Sequence, residues 1–341
     1  MSLYPRRPMT GLTRAVLALV ACAACLALAG CGSSGIAGRV AGNAPVVASA
    51  TPAAAQQPGL PAPTPQAVNG PLLGDGSGPR PLAVHLERPD RLKMPFSKMP
   101  KAGLLFDLDS GEVLWRHEPL RRVPIASVTK MMTALLVVDE LPEGSKAYVT
   151  KQSEERGGSR VGLLPLHKSV GVSALLHGLL MTSGNDAATV LAQAVSGTTK
   201  RFVGTMNAQA RSMGLTCTRF VSPDGLDDRG FSCPYDLAAL ARAVLDQPRL
   251  RPILTRKTVA IPFPIKGGKL YLSSHNPLLQ MDYPGTIGIK TGYTERAGHT
   301  FVGAAKRGGR RLGVVLLGSP NIGGQAAKLL DRGFRTIGAT K

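Results

Sequence analysis

Acidic side chains are scarce in this chain: 21 Asp and Glu stand against 41 Lys and Arg, a formal charge of +20. Removing three N-terminal arginines, Arg6, Arg7 and Arg14, still leaves +17. Such a surplus suits an anionic setting, lipid headgroups or acidic polymers. A nucleic-acid partner is not expected, because the sequence has neither zinc-finger spacing nor interleaved aromatic and basic residues. Aromatic residues are missing altogether between Tyr4 and Phe96, which excludes a packed core there. Cysteine is equally sparse. Beyond Cys31 there are only Cys217 and Cys233, with no histidine close in sequence, so no tetrahedral metal set is available and no metal or nucleotide cofactor is expected. The apolar run from Ala15 to Ala29 is about fifteen residues, too short for a comfortable permanent span of a bilayer.

What is present begins with an export signal. Residues 1–30 combine the three arginines with that apolar run and carry no acid. The run ends in Leu28-Ala29-Gly30-Cys31, which resembles a bacterial lipoprotein cleavage site and implies lipidation of Cys31. The alternative is an ordinary signal peptide with a cysteine near its cut. Residues 31–92 are rich in Ala, Pro and Gly and read as a disordered tether. About sixty such residues would span roughly 40 Å on average, so the folded unit, residues 93–341, stands off its anchor. Cys217 and Cys233, sixteen positions apart, read as a disulfide in an oxidising compartment or as two buried thiols. A bridge of that span is worth roughly 3 kcal/mol in the chain-entropy model.

Within the folded unit, Ala102–Leu108 and Glu112–Trp115 are short apolar runs joined by Asp109-Ser110-Gly111, a hairpin signal. A helix follows, with Val128, Met131, Met132, Leu135 and Leu136 at helical spacing and Pro142 as its stop. Helical patterns return at 173–196, broken at Thr182-Ser183-Gly184-Asn185, and at 198–213 and 236–247, with the loop Ser222-Pro223-Asp224-Gly225-Leu226 between the last two. His299–Ala304 and Leu312–Leu317 read as strands turning at Arg307–Arg310, and an amphipathic helix covers 321–334. Strands at both ends with helices between them predict an α/β (α+β) fold, an antiparallel sheet flanked by helices with an inserted helical lobe.

The chemistry starts at Ser127-Val128-Thr129-Lys130. A helical turn brings positions three apart together, setting a hydroxyl beside an amine. Alone the pattern is weak, since a chain of this length holds about one by chance. Two further elements follow in order, Ser183-Gly184-Asn185 and Lys290-Thr291-Gly292. Together the three resemble the signature of the penicillin-binding proteins and serine β-lactamases. The phrases around them, Pro124–Ala134, Gly178–Ala188 and Gly288–Thr294, are most similar to the low-molecular-mass D-alanyl-D-alanine carboxypeptidases. The resemblance covers about 95–335 and implies the β-lactamase/transpeptidase-like fold.

It also implies roles. Ser127 is the nucleophile and Lys130 its base, while Ser183 bridges the two lysines and relays a proton to the leaving amine. Asn185 holds the substrate backbone, and Lys290 and Thr291 take the terminal carboxylate. Gly292 and Tyr293 complete the substrate-binding set, and the N–H groups of Ser127 and Tyr293 form the oxyanion hole. A basic Lys130 must be neutral, which from a pKa near 10.4 takes a shift of roughly three units; burial and a second cation, Lys290, are the expected causes. Read without the resemblance, Ser183 is a helix cap and Asn185 a turn residue. His275 and His299 are a loop and a strand residue, and Asp186 a helix-start carboxylate.

The implied substrate is the stem peptide of peptidoglycan, with β-lactam antibiotics as covalent inhibitors and an extracytoplasmic, lipid-anchored location. The rivals are a D,D-endopeptidase, a serine β-lactamase and a wall-binding protein without turnover. A class A lactamase uses a glutamate for deacylation, and none occurs between Glu155 and Glu295. Many carboxypeptidases of this kind carry a further β-rich domain and membrane helix, whereas here about seven residues follow Phe334. Cys31 would replace that anchor.

Overall fold

The computed structural model describes residues 82–339; the signal segment, Cys31 and most of the tether lie outside them. In chain order the elements are β1 (Ala102–Asp107), β2 (Val113–His117), a single 3-10 turn (Ala126–Thr129) running directly into α1 (Lys130–Glu140), β3 (Lys146–Tyr148), α2 (Lys151–Glu154) and β4 (Ser169–Gly171). Next come α3 (Val172–Met181), α4 (Asn185–Ser196), α5 (Thr199–Ser212), α6 (Pro234–Asp246), α7 (Arg251–Leu254), β5 (Thr258–Pro262) and β6 (Lys269–Ser273). The chain closes with α8 (Pro277–Gln280), β7 (Thr286–Thr294), β8 (Gly298–Arg307), β9 (Arg310–Leu317) and α9 (Ile322–Thr336).

The main sheet has five antiparallel strands in the order β2-β1-β9-β8-β7. Pairing of β1 with β9, Leu104 opposite Val315, joins the two ends of the domain and leaves the helices as an insertion. The alternation along β9 explains why both faces are covered. Leu312, Val314 and Leu316 pack with Leu329, Leu330 and Phe334 of α9, whereas Val315 and Leu317 pack on the other face with residues of α1 and α6. Asn321 caps α9 by accepting from Gly324 N at 2.9 Å. The first hairpin is tied by Asp107, whose Oδ1 accepts from Asp109 N and Ser110 N at 2.9 and 2.8 Å.

Three features differ from the sequence reading. Ordered packing starts before residue 93: Val84 and Leu92 are buried, and the buried Arg242 guanidinium donates to the carbonyls of Leu82 and Ala83. Residues 82–92 are therefore part of the folded unit and not of the tether. The Lys-Thr-Gly segment is an edge strand, β7, whose glycines and threonines dilute the apolar alternation that marks β8 and β9. The hairpin of β5 and β6 was likewise not read from the sequence. No helix among the described residues is long and apolar enough to cross a membrane.

Candidate active site

Ser127 lies not in the α-helix proper but in the 3-10 turn before it, and Lys130 is the first residue of α1. A 3-10 turn has three residues per turn, so positions i and i+3 eclipse and the two side chains face one another. Lys130 Nζ stands 2.8 Å from Ser127 Oγ. Ser127 remains half-buried, while Lys130 is fully covered.

Two glycines hold this turn in place. Gly225, with φ +77°, presses on it so closely that a β-carbon would lie 1.9 Å from Ala126 O. Gly292 of β7 approaches from the other side, where a β-carbon would lie 2.7 Å from Ser127 N. Thr300 Oγ1 of β8 donates to Ile125 O at 3.0 Å, fixing the residue before the turn. The backbone of β7 at Gly292 and that of the turn at Ser127 thus adjoin.

Lys130 Nζ has two more partners, Asn185 Oδ1 at 2.7 Å and Asp224 O at 2.7 Å. Both are carbonyl oxygens that can only accept. Once neutral, the amine has two N–H donors for these two acceptors, and its lone pair is left for the Ser127 hydroxyl proton. Burial, opposed by Asp224 and Asp186 and assisted by the Arg156 charge, brings its pKa down to about 7. The second cation acting on Lys130 is thus Arg156. Lys290, expected in that part, is itself buried, and burial with the Lys130 charge holds its amine well below the ordinary lysine range. Its Nζ donates to Thr291 O at 2.7 Å.

Ser183 sits at the break between α3 and α4 with φ +63°, a left-handed backbone unusual for serine. Its hydroxyl is buried and has no hydrogen-bond partner, so the expected bridge between the two lysines is not made in this structure. Asn185 opens α4 and is held on both sides. Its Nδ2 donates to Gly157 O at 2.7 Å and its backbone N to Ser159 O at 2.7 Å. Asp186 does more than start a helix: its carboxylate accepts from Val161 N and Gly162 N, each at 2.9 Å, and so pins the segment that borders Asn185. On the opposite rim Tyr293 is 59% exposed and its ring lies 4.6 Å from that of His299. His275 is exposed in its loop, and neither histidine bonds Ser127 Oγ.

The residues that sequence reasoning missed are Asp224 and Arg156. Asp224 is completely buried and Arg156 grips it at two points, 2.5 and 3.0 Å, while Ser222 Oγ donates to its Oδ1 at 2.8 Å. Burial pushes this carboxyl up, but the Arg156 hydrogen bonds, the Lys130 charge and the Leu226 N–H outweigh it and hold the pKa below the usual range. Thr133 Oγ1 of α1 donates to Pro223 O at 2.6 Å, so α1 fixes this loop at two points. The loop is closed at its base by Cys217 and Cys233, which are bonded with their Cα atoms 5.7 Å apart. Among the described residues one group of metal-ligating types converges, these two cysteines with Asp236, and the disulfide consumes both sulfurs.

The family model for D-alanyl-D-alanine carboxypeptidase matches residues 93–321. The chain is 40% identical over 240 residues to a D-alanyl-D-alanine carboxypeptidase of Mycobacterium tuberculosis, a match covering 68% of this chain and 81% of the relative. A D-alanyl-D-alanine endopeptidase of Pseudomonas aeruginosa is 33% identical over 228 residues, 64% of this chain and 72% of that protein. Among solved structures, a D-alanyl-D-alanine carboxypeptidase from Mycobacterium tuberculosis superposes with a TM-score of 0.66 at 36% identity, over 71% of this chain and 94% of that one. A buried amine against a half-buried serine, on this fold and in this signature, makes the chain a serine hydrolase of the D-alanyl-D-alanine carboxypeptidase family.

Proposed function

We propose that the protein is an exported serine D-Ala-D-Ala carboxypeptidase, tethered to the cell membrane through a lipid on Cys31, that trims the terminal D-alanine from peptidoglycan pentapeptide stems. One observation carries the reading: Lys130 Nζ lies 2.8 Å from Ser127 Oγ in an enclosure that brings the amine to about half neutral near pH 7.

In this mechanism the neutral amine takes the Ser127 proton as Oγ attacks the carbonyl of the penultimate D-alanine. The N–H groups of Ser127 and Tyr293 receive the oxyanion, and Lys290 with Thr291 holds the terminal carboxylate. Collapse breaks the peptide bond. The departing amine takes a proton from Lys130 through Ser183, which leaves the acyl group as an ester on Ser127. Water then attacks the ester, gives its proton to Lys130, and releases the shortened stem as Ser127 recovers its own. Asn185, whose Oδ1 already faces Lys130, serves the substrate backbone through its amide.

A penicillin acylates the same serine by opening its lactam ring. The severed amine stays attached, so the adduct keeps the whole mass of the drug. The similarity to an endopeptidase supports a second reading, cleavage of cross-linked stems by the same machinery with water as acceptor. Incubation of the protein with a D-Ala-D-Ala peptide and with a cross-linked dimer separates the two. Free D-alanine from the first, together with a persistent penicillin adduct on Ser127, is the expected result. Cleavage of the dimer alone supports the endopeptidase, rapid penicillin turnover a β-lactamase, and no product with no adduct defeats both.

A further inference from the structure

Arg156 and Asp224 are 68 positions apart and belong to no recognised motif, yet they form the closest two-point ion pair next to Lys130. Asp224 serves Lys130 in two opposed ways. Its backbone oxygen accepts from Nζ at 2.7 Å, which fixes the amine against Ser127. Its carboxylate, fully buried, is a negative charge in the same enclosure and by itself favours a charged and therefore inactive lysine. The charged groups that act on Lys130 come from several sides, Arg156 after α2, Asp186 in α4 and Asp224 in the disulfide loop, while Lys290 in β7 feels the Lys130 charge in turn. Asp186 is spent on the N–H groups of Val161 and Gly162, and Lys290 on Thr291 O. Arg156 is the group whose bonds go to the Asp224 carboxylate itself.

We propose that Arg156 is a positioning residue for Lys130 that works through Asp224, locking the loop that presents the Asp224 carbonyl and neutralising the Asp224 carboxylate so that the amine can lose its proton. The inference rests on the reading of Lys130 as the base. It goes beyond the three motifs because it assigns the tuning of that base to a pair outside them.

The test is the rate of Ser127 acylation by a penicillin, followed by intact mass on the full chain as a function of pH. The wild type is expected to show an acid limb set by Lys130. Arg156→Ala leaves Asp224 unopposed and is expected to move the limb up by about one pH unit, which at neutral pH is about a fivefold loss that disappears in alkali. Asp224→Asn removes the negative charge and is expected to move the limb the other way, since Arg156 is a third exposed and stays hydrated. The double variant is expected to return close to the wild-type limb, and Arg156→Lys to hold it. Opposite shifts that cancel are the mark of charge; a merely structural pair would lower the rate equally at every pH. Limbs that stay put in both single variants, or move in the same direction, overturn the proposal. Should Arg156→Ala not fold, a downward shift in Asp224→Asn with none in Arg156→Lys supports it, and any other pattern overturns it. A wild type that never acylates Ser127 defeats the reading of the site, and the inference falls with it; shifted or unshifted limbs in an acylating wild type bear on the inference alone.

Discussion

At the scale of single residues, Lys130 is buried at a cost to stability. In the unfolded chain its amine stays charged up to about pH 10, while in the fold it gives up its proton near 7. Between those values the unfolded state binds one proton more than the folded one, so this group makes stability rise with pH, by about 1.4 kcal/mol per unit. Below about pH 7 both states are charged and the full penalty of burying the ammonium is felt. Lys130→Met keeps the volume and deletes the charge. It is expected to abolish acylation and at the same time raise the melting temperature at pH 6, with a gain that shrinks as pH rises toward 10. A variant less stable at pH 6 would show that the ammonium is well accommodated. The residue-level chemistry was only partly legible in the sequence. Ser127, Lys130 and the need for a neutral amine were readable, because three short motifs stood in order. Burial, the largest cause of that neutrality, was expected as well; the cation that assists it was not, since Arg156 comes to Asp224 and Lys130 only through the fold.

At the scale of elements, the nucleophile turn is clamped between two backbones. Gly225 is the tighter clamp, with a positive φ and no room for a β-carbon against Ala126 O. Gly225→Ala is expected to push the turn off β7 and cut the acylation rate at least a hundredfold, with far-ultraviolet circular dichroism nearly unchanged. Near-normal acylation would mean that the loop yields without moving Ser127. The helices α1, α3 and α9 and the strands β8 and β9 were legible because their apolar residues recur with helical or alternating period. β7 was not, because Gly288, Gly292 and its threonines interrupt the alternation; β5 and β6 do alternate, with Val259, Ile261, Leu270 and Leu272 on the covered face, but over only five residues each. The left-handed Ser183 and the 3-10 geometry at Ser127 leave no periodic trace, so a helix start was the natural reading of both.

At the scale of the whole molecule, one sheet is made from the two ends of the domain, and the site is assembled where the inserted helices meet its β7 edge. The disulfide serves that assembly. Its loop carries Asp224 to Lys130, Gly225 to the nucleophile turn and Asp228 to the hydroxyl of Thr294 at the end of β7. Replacing both cysteines, Cys217→Ser with Cys233→Ser, is expected to destabilise the domain by roughly 3 kcal/mol, seen as a fall in denaturation midpoint, and to slow acylation as well. Unchanged stability would indicate that the loop is held by its other contacts alone. The pairing of β1 with β9 was foreshadowed by strands at both ends, whereas the packing of residues 82–92 was not: Glu87, Arg88, Asp90 and Arg91 already depart from the tether's composition, but the segment forms no helix or strand whose period would mark it.

The most direct measurement is the pH dependence of penicillin acylation on the wild-type chain, with the modified residue mapped by mass spectrometry. A single adduct on Ser127, forming at a rate that climbs from acid pH and reaches half its plateau near pH 7, is the expected result for a serine activated by a neutral Lys130. An adduct elsewhere, or a rate on Ser127 that still climbs only above about pH 10 as an ordinary lysine would dictate, would contradict it.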